Sequence, residues 1–291
     1  LLSADSNNYK AQYMLGKLYQ SDSKKDLQKA EKVLIKGAEN AQDKTGLCEY
    51  SLGKLYLSQE RYDKAASYLE RSAAKDNYYA AYTLGKLYQE QFNDNTQAEK
   101  YLIQAADHKD DTMGIAAYRL GKLYLSENNR RKALQYFTNA ADKDSIPGMY
   151  AAGKILLDSR KSTEVSKGIR YLSSAADKDF EPAIYTLGKY YSSFNNTKAK
   201  EYLKRSAFEY NDPNAQYILG KVYLSENKKD DFEDAMPYGS LEYSDIPDDL
   251  EMYLSSRNYD ELYEPNAPDY NSDIFPQEPE SFGLIYRFKS F

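Results

Sequence analysis

Apolar positions along this chain recur with the spacing of a helix, and one nine-residue phrase carries them each time. The phrase reads Ala-x-Tyr-x-Leu-Gly-Lys-Leu-Tyr, as at Ala11 to Tyr19 and Ala80 to Tyr88. Its centre appears at Leu15-Gly16-Lys17, Leu52-Gly53-Lys54, Leu84-Gly85-Lys86, Leu120-Gly121-Lys122, Leu187-Gly188-Lys189 and Leu219-Gly220-Lys221, with a variant at Ala152-Gly153-Lys154. Set the glycine at zero and advance ~100° per residue. The Ala five before it, the Leu one before, the Leu two after and the Tyr three after then fall between roughly −60° and −160°, which predicts a buried stripe. The Tyr three before and the Lys one after fall near +60° and +100°, on the opposite side and adjacent to each other. A second phrase, Lys-Ala-x-x-Tyr-Leu-x-x-Ala-Ala, follows after a variable turn, as in Lys64 to Ala74 and, with small changes, Ala98 to Ala106.

Each unit is therefore expected to hold two helices, a first and a second. Small residues at Ala65, Ala73, Ala105, Ala140 and Ala175 let helices approach closely, and the larger Tyr and Leu fill the gaps. Polar turns such as Lys75-Asp76-Asn77 end a second helix, while Pro182 and Pro213 sit where a first helix begins. Successive glycines lie 37, 32, 36, 32, 35 and 32 residues apart, a period that marks stacked helical hairpins. The alternation suggests duplication of a two-hairpin unit, with extra turn residues at Ser21–Asp26, His108–Met113 and Asp158–Val165. After the seventh first helix, Asp230-Asp231-Phe232-Glu233-Asp234 makes a poor second helix that stops at Pro237, so a lone capping helix is expected. At the other end Leu2-Ser3-Ala4 aligns with Arg71-Ser72-Ala73, so the first repeat is expected to be truncated at its N-terminus.

The residues Ala11, Tyr13, Leu15, Gly16 and Tyr19 with Lys29-Ala30 downstream, repeated through Ala215, Tyr217, Leu219, Gly220 and Tyr223, resemble Sel-1-like repeats, relatives of tetratricopeptide repeats. The resemblance covers about residues 4–225. It implies an all-α fold, an αα-hairpin solenoid wound as a right-handed superhelix, used as an adaptor in protein complexes and without catalytic residues. One departure is plain: the family's Gly-x-Gly turn between the helices is replaced by stretches such as Ser58-Gln59-Glu60-Arg61.

All seven units keep the outward tyrosine (Tyr13, Tyr50, Tyr82, Tyr118, Tyr150, Tyr185 and Tyr217) and the outward lysine (Lys17, Lys54, Lys86, Lys122, Lys154, Lys189 and Lys221). In a tetratricopeptide-like stack the first helices line the concave wall, so this Tyr–Lys ladder is the candidate ligand-binding groove. Ammonium groups suit carboxylates and phenol rings supply flat contact area, so the expected partner is a protein or an extended acidic or aromatic peptide. The competing reading is that each tyrosine packs against the neighbouring first helix and each lysine is only a solvated neighbour.

Charge divides the chain. Residues 1–229 carry 36 basic and 29 acidic side chains, and residues 230–291 carry 3 and 16. Six of the nine prolines lie in the second segment, which places a boundary near residue 230 between an array and an acidic Tyr/Pro-rich tail. In the tail Pro247-Asp248-Asp249-Leu250 reads as a helix start, Tyr259 to Pro279 as loop, and Phe282, Leu284, Tyr286 and Phe288 as an extended end. Its opposite charge and its aromatic residues make the tail a candidate to pack on the array in cis, capping it or occupying the groove; the competing reading is an acidic tail disordered in its middle stretch.

No phosphate loop, nucleophile elbow or zinc-spaced His/Cys set is present, so no catalytic residue, cofactor or metal is expected. Cys48 is alone and reads as a small buried hydrophobe, and His108 is expected to face solvent. No apolar run reaches the ~20 residues a membrane span needs, and a cytoplasmic setting is expected. Two alternatives remain: similarity to the C-terminal regions of plasmid mobilisation proteins (relaxases), and stacking of single-stranded nucleic acid on the ladder. An excess of seven basic groups over 229 residues beside an acidic tail argues against nucleic acid.

Overall fold

The structure is a computed structural model and describes residues 8–21 and 26–226. The expectations for the tail, for the poor second helix at its start and for the first residues lie outside that range. Thirteen α-helices and no strand occur among the described residues: α1 (Tyr9–Gln20), α2 (Leu27–Ala38), α3 (Leu47–Leu57), α4 (Tyr62–Ala73), α5 (Tyr78–Glu90), α6 (Asn95–Ala106), α7 (Ile115–Ser126), α8 (Arg130–Asp142), α9 (Ile146–Leu157), α10 (Ser162–Ala176), α11 (Glu181–Tyr191), α12 (Asn196–Lys204) and α13 (Pro213–Ser225). Odd-numbered helices are the first helices of the seven units and even-numbered ones the second. Each packs on the next in sequence, and α1 with α3, α3 with α5, α9 with α11 and α11 with α13 also touch. Successive second helices meet more sparsely among the described residues.

From the second unit on the predicted stripe is largely buried, while in the first unit Leu18 is 42% exposed. In the second unit Leu52 and Leu55 are sealed with Cys48, and in the fourth Ala116, Leu120, Leu123 and Tyr124 are. The helices run further than their phrases because polar caps extend them. Asn8, Asn77, Asp94, Asn129 and Asp212 each accept a backbone N–H of the first turn.

The repeat glycine has a specific task. A Cβ on Gly16 would lie 2.4 Å from Leu34 Cγ, on Gly53 2.5 Å from Leu69 Cγ, on Gly85 2.7 Å from Leu102 Cγ, and on Gly121 2.5 Å from Phe137 Cδ1. In each hairpin the second helix sends one large side chain into the notch that the missing Cβ leaves. Gly153 with Leu172 and Gly188 with Leu203 repeat the arrangement.

The turns reverse without the family's glycine pair. Glu60, Asn93 and Asn128 hold the left-handed conformation between first and second helices, and Asp76, Asp144, Asp179 and Asn211 hold it between units. Arg61 N–H returns to Tyr56 O at 2.9 Å and Asn129 N–H to Tyr124 O at 2.8 Å, closing the last turn as a Schellman motif does. Asn and Asp tolerate this region better than other L-residues, which is why they can stand in for glycine.

Two turn expectations need correction. The extra residues at Asp158–Val165 do not form a turn beyond Lys161. Ser162–Val165 are helical and lengthen α10 to 15 residues. His108 does not face solvent, because its side chain is only 9% exposed and packs against Tyr78 with ring centroids 5.9 Å apart.

Two stability changes follow. Gly85→Ala is expected to cost up to about 2 kcal/mol net, because overpacking of about 1–3 kcal/mol opposes a helix-propensity gain of about 1 kcal/mol. Adding Leu102→Ala should cost less in that background than in the wild type, which urea unfolding of the double-mutant cycle would measure. Glu60→Gly should raise the urea midpoint, by about 0.5–1 kcal/mol of stability, because it removes the left-handed strain of a long side chain. A loss of stability would show that the turn is held by the Glu60 side chain.

Candidate functional site

The first helices bring the ladder side chains together in pairs. All seven tyrosines are half-buried, Lys54, Lys122, Lys154, Lys189 and Lys221 are exposed, and Lys17 and Lys86 are intermediate. In five units the ammonium lies over its own ring: Lys17 on Tyr13 at 5.8 Å, Lys54 on Tyr50 at 5.9 Å, Lys122 on Tyr118 at 6.0 Å, Lys154 on Tyr150 at 5.5 Å and Lys221 on Tyr217 at 5.7 Å. This is the i, i+4 neighbour relation of a helix surface, with the ring quadrupole facing the cation.

The tyrosines also join unit to unit. Tyr50 meets Tyr79 of α5 at 6.0 Å, and Tyr150 meets Phe180 at 5.4 Å. Burial pushes the Tyr50 phenol up to about 12, offset in part by a hydrogen bond with Thr83 of α5. Burial likewise holds the Lys54 ammonium below the usual lysine range. Lys54 is exposed by area and yet hemmed in by protein, so only part of its charge is screened by water. The packing role weighed for the tyrosines is thus real, and the lysines are what the surface presents.

A second aromatic row was read from sequence only as core. The Tyr three after the repeat glycine, buried at Tyr56, Tyr124 and Tyr191 and half-buried at Tyr88, stacks on a tyrosine of its own second helix: Tyr56 on Tyr68 at 5.4 Å, Tyr88 on Tyr101 at 5.7 Å, Tyr124 on Tyr136 at 5.4 Å and Tyr191 on Tyr202 at 6.0 Å. Its hydroxyl donates to a carboxylate of the preceding unit, Tyr56 to Glu31 at 2.7 Å, Tyr88 to Glu70 at 2.8 Å and Tyr124 to Glu99. A cation covers the stack: Arg61 lies 4.7 Å from the Tyr56 ring, Lys132 4.5 Å from Tyr124 and Lys198 4.9 Å from Tyr191. The signal was in the sequence, in Tyr68, Tyr101, Tyr136 and Tyr202 of the second phrase, but no periodicity argument reveals which carboxylate a hydroxyl will reach.

Buried acids organise the turns between units. Asp111 accepts Tyr78 Oη, Ala116 N–H and Lys143 Nζ, each at 3.0 Å, and Glu49 receives Lys75 Nζ at 2.5 Å. No group of three or more His, Cys, Asp or Glu that could hold a metal occurs among the described residues. No described helix is long and apolar enough to cross a membrane.

Residues 10–42, 79–110, 114–145, 147–180 and 183–207 match the Sel1 repeat model, and together they cover more than half of the chain. The chain belongs to the Sel1 repeat family. The remaining hairpin of this Sel1 array, residues 47–77, matches a tetratricopeptide repeat model instead. Proteins built from these repeats serve in general as protein-interaction scaffolds. Among solved structures the chain is similar to c5321, a protective antigen present in uropathogenic Escherichia coli strains displaying an SLR fold, at 21% identity and TM-score 0.59, over 78% of this chain and 51% of that one. It therefore spans about half the length of c5321. It is also similar to a Sel1 repeat protein from Oxalobacter formigenes (20% identity, TM-score 0.50, 69% of this chain and 88% of that one). A third is Pseudomonas aeruginosa pilF (16%, 0.52, 77% and 99%). At these identities the likeness is one of fold. No curated protein matches the chain.

The tyrosine rows make this Sel1 array sensitive to alkali. Burial, followed by the Asp142 hydrogen bond, raises Tyr171 to about 12, and burial raises Tyr50 as far. Tyr56, Tyr88 and Tyr124 are pushed higher by burial and then by their carboxylate partners. A raised folded-state value means that the neutral phenol favours the native array. That stability is complete below the unfolded value of about 10 and is lost as pH climbs through the folded values. Thermal melts should be flat from pH 8 to 9 and fall steeply between about pH 10 and 12, and the tyrosinate absorbance lost in Tyr124→Phe relative to the wild type should appear only in step with unfolding. Ionisation of Tyr124 at pH 10 in a still-folded protein, read from that difference, would refute this.

Proposed function

We propose that this chain is a non-catalytic scaffold, an adaptor in the cytoplasm that holds an extended acidic or aromatic segment of a partner protein against the Tyr–Lys ladder. The observation that carries the reading is the repeated placement of an ammonium over its own half-buried ring in five units. A lysine resting on a ring is partly ordered before it binds, so less side-chain entropy is lost when a carboxylate arrives. Tyrosine adds rigid contact area with a polar tip.

Direct touching in four of the six successive first-helix pairs, against sparser meetings of second helices, supports a stack that closes toward the ladder side. On this reading residues 1–229 are the array and residues 230–291 a separate segment. The 16 acidic groups of that segment make it an intramolecular competitor for the same groove.

The test is capture of acidic peptides by residues 1–229 and by the full chain. Changing Lys54, Lys86, Lys122 and Lys154 together to Glu should weaken capture by at least about thirtyfold, since each reversal acts on one charge contact of the rim. Residues 1–229 should bind more tightly than the full chain. Unchanged capture by the reversed variant would move the binding surface off the ladder, and equal binding by the two lengths would remove the tail as competitor.

A further inference from the structure

The ladder is regular except at one place. Two residues before the repeat glycine stand Met14, Ser51, Thr83, Arg119, Ala151, Thr186 and Ile218, and Arg119 is the one charged residue among them. Five residues after the glycine stand Ser21, Ser58, Glu90, Ser126, Asp158, Ser193 and Ser225. Arg119 on α7 and Glu90 on α5, one of the two acids in the second set, meet. The Arg119 guanidinium holds the Glu90 carboxylate, and its Nε–H donates to Gln89 Oε1 at 3.1 Å. Lys86 Nζ lies 3.9 Å from the other Glu90 oxygen, and the Tyr82 hydroxyl is within the influence of Arg119.

The members of this cluster differ in how firmly they are held. The Arg119 side chain is 16% exposed and Glu90 is 41% exposed. Glu90 is also the last residue of α5, where the helix dipole disfavours an anion. The two cations hold it there. A guanidinium presents a planar fork that suits any carboxylate, so the partner of Arg119 is replaceable by one of the same chemistry.

We propose that Arg119, with Lys86 and the Tyr82 hydroxyl beside it, is a carboxylate-binding subsite of the ladder that Glu90 fills in the free array and vacates for an acidic side chain of the partner. The inference rests on the groove reading above and names a residue that sets its specificity. The exchange is carboxylate for carboxylate. Glu90 swings into water, the incoming acid takes the fork, and the charge of the cluster is restored. Occupation by Glu90 then penalises weakly acidic sequences, which cannot repay its displacement.

A synthetic peptide of residues 243–254 (YSDIPDDLEMYL) serves as the probe, with affinity measured by fluorescence anisotropy on the full chain and on residues 1–229 alike. Glu90→Gln should tighten binding about fivefold, the yield of releasing one surface ion pair. Arg119→Gln should weaken it about tenfold, and Arg119→Lys, which keeps the charge and loses the fork, should recover only part of that. Asp158→Asn removes the same charge at the same position of another unit, where the partner is Arg130 of α8, and should leave affinity unchanged. Circular dichroism of each variant separates misfolding from lost binding. If the Glu90 and Arg119 variants bind as the wild type does while the four-lysine reversal abolishes binding, the subsite is wrong and the ladder stands. Tightening by Asp158→Asn equal to that of Glu90→Gln would reduce the effect to net charge. A four-lysine reversal without effect would overturn the groove reading itself.

Discussion

The approach of one large side chain to one glycine, inside every hairpin, is the constraint on which the array depends. Leu34, Leu69, Leu102, Phe137, Leu172 and Leu203 each enter a notch that only a residue without Cβ leaves open. This fixes how near the two helices lie and how they are rotated about their axes. Once that rotation is set, the Ala and Leu of the first helix have to face inward, and the Tyr and Lys on the other side of the wheel have to face outward. The ladder is therefore a consequence of the notch as much as of its own residues.

Polar groups do the joining between hairpins. An all-aliphatic stack would tolerate sliding of one unit on the next, because dispersion contacts have little directional preference. Here Tyr56, Tyr88 and Tyr124 each place a hydroxyl on a carboxylate of the unit before, and Lys143 and Lys75 each neutralise a buried acid at a turn. Such bonds are directional, and a buried acid without its lysine would be costly, so they hold the register that packing alone leaves loose.

The repeat period, the helix pairs and the buried stripe were legible because they depend only on residue spacing, and every first helix lies where its Leu-Gly-Lys centre put it. The ladder residues were legible as a face of a wheel. Their dual nature was not: Tyr50 touches Tyr79 on a different helix, and no single-helix wheel contains that neighbour. His108 was misread because its burial comes from Tyr78, thirty residues earlier, across a turn whose shape the sequence did not disclose. The helical start of α10 at Ser162 was missed because Ser-Thr-Glu reads equally as turn or as first helical turn. The meeting of Arg119 and Glu90 lay open to a column-by-column comparison of the seven units, where Arg119 is the one charged residue of its column and Glu90 one of two acids in its own.

The turn glycines carry a consequence for how such an array can change its length. Gly46 and Gly114 share a left-handed backbone (φ 68° and 64°) at the start of a first helix, and both lead units that are an even step apart. Asp43 and Asp111, Glu31 and Glu99, and Tyr56 and Tyr124 keep the same separation, with the same bonds formed at both places for the hydroxyl pair. Across the first four units, a lone hairpin added or removed would set an odd unit against an odd one and mismatch these joints, while a whole pair would set each against its counterpart.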